Sequence, residues 1–370
     1  MFKEKSEIDN IGPYKVIQLF FPLSDFRAIV VIDNIALGPS IGGVRVSLDV
    51  TIDEVKRLAR TMTMKNSIAG LSHGGGKAAI IADPKDAKKE EYFRKFALSI
   101  KELVDYIPGP DMGSDEECMA WVYDEIGRAC GLPEEIGGLP LDKLGATGFG
   151  LAECAEIASS YAKINLSGAR VAIHGFGSVG KAAAKFLSDK GSRIIAVSDT
   201  KGTIYNPEGL NLLELINIKE KTGSVINYKN GITKRIEELF SLDCDILIPA
   251  ATPDVITMNN VNDIKAKLIL QGANIPITYE AEKVLHERDI LSVPDFIANA
   301  GGVIMAAMEY MKRSEKEAFL TISEKIKRNT ELVLMKSLNE GITPRDAAEK
   351  LAKDRILKAM KYKKIFKNYL

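Results

Sequence analysis

An α/β chain of two domains is what this sequence predicts, and three observations predict it. After residue 145 helix-like and strand-like runs alternate: helix 145–163, strand 169–174, helix 178–189, strand 193–198, then strands at 244–249, 267–271 and near 290. Such alternation calls for a parallel sheet flanked by helices. The first third is patterned differently, with strands at 14–21, 27–33 and 43–48 broken by Pro22, Gly38-Pro39 and Gly42-Gly43. Between the two regions, Pro133, Gly137-Gly138 and Pro140 read as a hinge. The 370 residues are enough for two separate cores.

Each element has its own local justification. Thr51-Ile-Asp-Glu54 is a capping box opening a helix whose apolar positions are Ile52, Val55, Leu58, Ala59, Met62 and Ala69, and Gly70 supplies a stop. A Gly-rich turn at 74–76 then leads to an expected strand at 78–82, followed by helices near 86–105 and 115–129, the latter opened by the capping box Ser114-Asp-Glu-Glu117. From Ser314 onward the tail reads as helical, with Thr343-Pro344 starting the last helix.

Composition excludes several classes. Lys+Arg and Asp+Glu both number 50, so no global charge steers the chain to nucleic acid or an anionic membrane. The most apolar long stretch, 296–308, contains Asn299 and is too short to span a bilayer, and no apolar run follows a basic start. Cys118, Cys130, Cys154 and Cys244 form no CxxC pair, which points to reduced thiols, no structural zinc and a cytoplasmic enzyme. No metal site is expected.

Two lysines stand out. Lys77 follows Gly74-Gly75-Gly76 directly, but the segment is not a phosphate-binding P-loop: Leu71 replaces its first glycine and Ala78 its hydroxyl residue. Lys65 lies three residues after Met62 and seven after Leu58, on the apolar face of its helix. Two readings stand: a turn with an exposed Lys77 and a snorkelling Lys65, or two lysines converging on one desolvated site, where burial lowers a pKa into the range acid–base chemistry needs. Asp111, in Pro108-Gly-Pro-Asp111-Met-Gly, is either a turn aspartate bonding its own backbone or a pocket acid.

The segment 169–199 carries a stronger signal. The apolar strand ending at His174 runs into Gly175-Phe176-Gly177-Ser178-Val179-Gly180 and then a helix, with Asp199 about twenty residues on. This is a dinucleotide fingerprint in its required setting, with a carboxylate for the ribose, so the second domain reads as Rossmann-type. Asp199 favours NAD over NADP, although Ser198, Thr200 and Lys201 could accommodate a 2′-phosphate. His174 reads as a strand-end packing residue, and His286 opens His-Glu-Arg-Asp-Ile, not a zinc motif.

Taken together, 58–67, Gly74-Gly-Gly-Lys77, Pro110-Asp111-Met-Gly, Gly145-Ala-Thr147-Gly-Phe-Gly and Asn299-Ala-Gly-Gly-Val resemble the Glu/Leu/Phe/Val dehydrogenase family in order and spacing, from about residue 12 to about 312. The resemblance implies reversible oxidative deamination of an L-amino acid to a 2-oxo acid and ammonia with NAD(P), and a homo-oligomer assembled through the first domain. It implies a substrate-binding and oligomerisation domain at 1–137, joined by C-terminal helices from about 325 to 370, and an NAD(P)-binding domain at 138–324, with a cleft between them. Carried over by position, Lys77 is the catalytic lysine, Asp111 the acid exchanging protons with the amino group, and Lys65 the ligand of the α-carboxylate. Gly42, Gly43, Ile41, Asn299 and Ala306 fall at substrate positions; Thr147, Gly175, Phe176, Gly177, Ser178, Val179, Gly180, Asp199, Ala251 and Asn274 fall at nucleotide positions.

Departures from the family pattern bear on the substrate. Glutamate-specific members carry a lysine where this chain has Ile41, and a serine where it has Ala306. Both changes remove partners for a side-chain carboxylate, whose unpaired burial is costly. The expectation is an apolar substrate such as leucine, valine or phenylalanine, with glutamate as the alternative, because the neighbourhood of Asp111 is written like archaeal glutamate enzymes and His73 could supply a polar contact. A catalytically silent dinucleotide-binding regulator is a remoter alternative, disfavoured by retention of Lys65, Lys77 and Asp111. A 2-hydroxy-acid dehydrogenase would need a histidine–carboxylate pair with an arginine, a setting none of the three histidines has.

Overall fold

A computed structural model describes residues 9–366. It contains two compact units, one of the described residues up to Leu141 together with Val303–Ala318 and from Glu349 onward, the other of Asp142–Gly302 and Phe319–Ala348. The expected single return of the tail from about 325 is therefore divided otherwise, with 319–348 belonging to the second unit and only 303–318 and the end of the chain to the first. Helical periodicity in the tail reports an apolar face without saying what covers it, so sequence could not assign these helices.

The first unit is built on a five-stranded sheet in the order β1-β2-β4-β3-β5: β1 (Lys15–Phe20), β2 (Arg27–Asn34), β3 (Ser40–Val46), β4 (Gly74–Ile80) and β5 (Tyr106–Pro110). β2 runs antiparallel to its two neighbours, β1 and β4, whereas β3 runs parallel to both β4 and β5. One face packs on α2 (Lys89–Ser99) and α3 (Glu116–Ile126) through a core that includes Val30, Val44, Ala78, Phe93, Phe96 and Met119. The other face packs on α1 (Ile52–Ile68) through Ile29, Val31, Val55, Ala59 and Ala79.

Two sequence expectations change here. The triple glycine is not a loop: Gly74, Gly75 and Gly76 are buried residues of β4, which begins four residues earlier than expected. A Cβ on Gly75 would lie 2.0 Å from the Thr63 nitrogen, and one on Gly74 1.8 Å from the Asn34 oxygen. These glycines let α1 and β2 close onto the strand backbone, a demand that a reading of glycine as punctuation misses. Gly75→Ala is accordingly expected to lower stability by about 1–3 kcal/mol, the range for overpacking against groups that cannot rotate away, measurable by thermal melting. The second change is β5, whose Pro108 and Pro110 disguised a strand; it is the sheet edge, where proline is tolerated.

α1 is held at both ends. The Thr51 hydroxyl accepts from the Glu54 N–H at 3.2 Å, as its capping signal predicts. Thr63 donates to Asp33 on β2 at 2.6 Å, and the Asn66 amide donates to the Gly74 carbonyl at 2.6 Å. At its C-terminus, α12 (Pro344–Met360) sends Arg355 to the Ser67 and Leu71 carbonyls at 2.5 and 2.8 Å, a cationic cap on free carbonyls.

The second unit opens with α4 (Leu141–Leu144), whose first residue ends the preceding unit, and α5 (Ala146–Tyr161). Its seven-stranded sheet, ordered β12-β11-β10-β6-β7-β8-β9, uses β6 (Arg170–His174), β7 (Arg193–Asp199), β8 (Gly202–Tyr205), β9 (Ile232–Lys234), β10 (Ile246–Pro249), β11 (Leu268–Leu270) and β12 (Leu291–Val293). The strands from β12 to β7 are parallel; β8 and β9 extend the sheet antiparallel and were not legible beforehand, being short and polar at their ends. α6 (Ser178–Asp189), α7 (Leu212–Thr222), α8 (Tyr279–Glu287) and α9 (Asp295–Ala298) complete the alternation; of the helices that follow, α10 (Gly301–Tyr310) falls mostly in the first unit and α11 (Glu315–Glu340) mostly in the second. A Cβ on Gly148 would lie 2.4 Å from the Ala183 nitrogen, so α5 and α6 meet backbone to backbone. No described helix is long and apolar enough to cross a membrane, and no acidic, histidine or cysteine cluster suited to a metal occurs among the described residues.

Candidate active site

In the first unit β3 and β4 run parallel with Ile41 opposite Gly75 and Arg45 opposite Ala79. Strand alternation places Ile41, Gly43 and Arg45 on the face that carries Lys77, the face α1 packs on. Lys77 is 5% exposed, and its Nζ lies 2.9 Å from Oδ1 of Asp111, which follows β5 directly. The other carboxylate oxygen accepts from Arg45 Nε at 2.8 Å, and Arg45 Nη1 reaches Glu54 on α1 at 2.6 Å. A Cβ on Gly43 would fall 3.2 Å from Lys77 Nζ and 2.7 Å from the Asp111 Cβ, so only glycine there leaves space beside the pair. Gly42 has a different task, since its Cβ would lie 1.7 Å from the Gly76 carbonyl.

The Asp111 loop is fixed by a residue given another role in the sequence reading. Ser114 accepts from the Asp111 N–H at 2.8 Å and donates to the Val44 carbonyl at 2.7 Å, while Asp115 is the N-cap of α3. Arg45, Glu54 and Ser114 were therefore missed as parts of the site. The available signal was the position of Arg45, two residues beyond Gly43 on the same strand face. Lys65 is buried on α1 as its helical phase predicts, at 9% exposure.

The electrostatics follow from burial and pairing. Burial is the largest influence on Lys77 and pushes its pKa below the ordinary lysine value, against the opposing pull of Asp111. Burial would raise Asp111, but Lys77 and Arg45 together outweigh it and hold the carboxyl below the usual aspartate value. His73 is buried, packs edge-on against Tyr310 at 6.0 Å and has Nδ1 3.3 Å from the Pro39 carbonyl; burial lowers its pKa. Ala306 is also buried in this unit.

The positions expected to hold a nucleotide lie in the second unit. Gly175 has φ +97°, and a Cβ there would lie 2.7 Å from the Ala251 Cβ. Gly180 would place a Cβ 1.9 Å from the Gly175 carbonyl, whereas Gly177 has open space around it. Gly177 is the N-cap of α6 and offers no side-chain cap, which leaves the helix N–H groups turned to any anion brought to them. These features fit a pyrophosphate. Phe176 is buried beneath the turn, Ser178 and Val179 begin α6, and Thr147 sits in the first turn of α5. The Asn299 amide donates to the Asn274 side-chain oxygen at 3.2 Å and its own Oδ1 is buried without a partner, which leaves an acceptor available there. His174 packs against Phe240 at 4.9 Å, and burial pushes it down to about 4, in keeping with a packing role.

Comparison with known proteins agrees with this pairing of units. Residues 15–128 match the Glu/Leu/Phe/Val dehydrogenase dimerisation domain, and residues 137–364 match the Glutamate/Leucine/Phenylalanine/Valine dehydrogenase family. The chain belongs to that family. It is an NAD(P)-dependent amino acid dehydrogenase, catalysing reversible oxidative deamination. It is 41% identical to a glutamate dehydrogenase of Aeropyrum pernix over 89% of this chain and 84% of that one. It is 38% identical to an NADP-specific glutamate dehydrogenase of Saccharolobus shibatae over 89% and 83%. Its fold matches the crystal structure of a hetero-hexameric glutamate dehydrogenase from Thermus thermophilus, Leu-bound form, at TM-score 0.85, 28% identity and coverage of 96% and 91%. The expected apolar side-chain preference finds no support among these relatives, which favour the alternative, glutamate.

Proposed function

We propose that Lys77 and Asp111 are the acid–base pair of this dehydrogenase and that L-glutamate and 2-oxoglutarate are its substrates. The observation that carries the catalytic assignment is the 2.9 Å contact between a buried lysine and a carboxylate already fixed by Arg45. Bound NAD(P)+ supplies the acceptor for the hydride leaving Cα. Lys65 neutralises the α-carboxylate from α1. Asp111 exchanges the proton of the amino group. Lys77, which burial brings closer to neutrality, takes the proton of the attacking water and in its protonated form polarises the carbonyl that results. Gly42 and Gly43 would offer backbone groups to the carboxylate, Asn299 would serve the substrate, and Asn274 would serve the nicotinamide end of a bound dinucleotide.

The substrate assignment rests on the relatives, which are glutamate dehydrogenases. A second reading, an apolar amino acid, rests on Ile41, which shares the strand face of Gly43 and Lys77, and on Ala306. Neither gives a distal carboxylate a partner. Reductive amination with ammonia of 2-oxoglutarate, 2-oxo-4-methylpentanoate and phenylpyruvate separates the two. A kcat/KM for 2-oxoglutarate about 100-fold or more above the others is the expected result, the margin a carboxylate-binding site commands. The reverse preference would replace glutamate with the apolar reading.

The chain also enters this proposal as a cytoplasmic homo-oligomer. Its four cysteines are buried free thiols, and the edge strand β1 exposes Val16 and Phe20 within the region matched to a dimerisation domain.

A further inference from the structure

Asp199 ends β7 at the position where a Rossmann-type site places its ribose-binding carboxylate. Its side chain is nevertheless turned inward and is 7% exposed. Oδ1 accepts from the Lys201 N–H at 2.9 Å and the Ser224 hydroxyl at 3.1 Å; Oδ2 accepts from Lys219 Nζ at 2.8 Å and the Val225 N–H at 2.8 Å. An ionised carboxylate offers about four lone-pair sites, and internal donors fill them. Lys219 comes from the last turn of α7, and Ser224 and Val225 from the turn that follows, so the carboxylate ties the end of α7 to the end of β7.

Two consequences follow for the adenosine end of a dinucleotide. A ribose hydroxyl donating to Asp199 would have to displace one of these internal bonds. The negative charge that excludes a 2′-phosphate from NAD-specific sites is compensated by Lys219, with Lys201 two residues along the chain from Asp199. The nearby carboxylate of Glu220 is engaged with Lys181 at 3.7 Å. Lys219 keeps two of its three ammonium protons for another acceptor.

Resting on the assignment of the Gly175–Gly180 turn to the dinucleotide, we infer that Asp199 is a structural tie, not the ribose ligand, and that Lys219 lets this chain take NADPH as well as NADH. Lys219 is the residue that sets tolerance of the 2′-phosphate.

Titration of the purified protein with NADH and with NADPH, followed by nicotinamide fluorescence or calorimetry, tests this without relying on turnover. The two dissociation constants are expected to agree within about tenfold, the effect of one modest ionic contact. Lys219→Met should weaken NADPH by about tenfold relative to NADH, and Lys219→Arg should restore it. Asp199→Asn should lower the melting temperature while leaving NADH affinity within about threefold of the parent. NADH binding about 100-fold tighter than NADPH in the parent, or loss of NADH affinity in Asp199→Asn with an unchanged melting temperature, would overturn the inference. Failure of the parent to bind either nucleotide would instead remove the dinucleotide assignment on which it stands.

Discussion

Lys77→Ala is expected to lower kcat by a factor of about 10³, the scale of a lost general base with its electrostatic contribution, while nucleotide affinity stays near the parent value. The position favours a clean test. Lys77 lies inside β4, followed by Ala78 and Ala79, so alanine suits the strand, and Asp111 keeps its bond to Arg45 after the change. Stopped-flow or steady-state kinetics beside a nucleotide titration separates the two quantities; turnover within about tenfold of the parent would remove Lys77 from the chemistry. The pH dependence has a definite sign. In the proposed mechanism deamination uses neutral Lys77, whose pKa is lowered from the ordinary lysine value chiefly by burial, so kcat/KM is expected to rise with pH through an inflection below that value. Asp111 opposes this lowering by favouring the ammonium form. Asp111→Asn should therefore slow the reaction and move the inflection further down.

Arg345→Met should cost about 3–5 kcal/mol, the consequence of removing one partner from a buried charge cluster. Arg345 opens α12 in the second unit, where Nε meets Glu282 at 2.5 Å and Nη2 meets Glu282 at 2.9 Å, Gln271 at 2.9 Å and Asp295 at 3.1 Å. Glu282 and Asp295 are buried, and the guanidinium lies 5.4 Å over the Phe296 ring. Methionine would fill much of the volume and leave both carboxylates without their cation. For a unit of this size the loss corresponds to a fall in melting temperature on the order of 10 °C, which calorimetry would register. A change below about 1 kcal/mol would mean that the carboxylates find other partners. Asp295 also accepts from the Ile275 N–H at 3.0 Å, and Ile275 sits at φ +48°, so the segment bearing Asn274 depends on the same cluster.

Much of this molecule is legible in its residues. The Thr51 cap, the Gly70 stop and the helical phase that buries Lys65 are local signals, and each is realised in α1. The strand–turn–helix setting of Gly175–Gly180 is equally local: Gly175 takes a left-handed conformation, Gly180 packs against the Gly175 carbonyl, and Gly177 has open space around it. Where reading failed, the missing information was the neighbour. Gly74–Gly76 resembled a turn because nothing in the segment says that α1 lies against it. Pro108 and Pro110 concealed β5 because only sheet position makes proline acceptable in a strand. Ser114 was read as a helix cap because the acceptor that fixes it, the Val44 carbonyl, lies 70 positions away, although its other partner, the Asp111 N–H, is only three residues before it.

The division has one physical cause. Caps, periodicity and glycine fingerprints act over a few residues, so the sequence by itself determined most elements and the family. Pairing of charges depends on groups the fold brings from afar: Arg45 reaches Asp111 across 66 positions, and Arg345 reaches Glu282 across 63. Tertiary structure alone decided that Lys77 faces a carboxylate held by Arg45, that the triple glycine is a packing surface, and that the carboxylate of Asp199 is already satisfied. Desolvation and hydrogen-bond saturation belong to the assembled neighbourhood of a residue, and no local stretch of chain contains them.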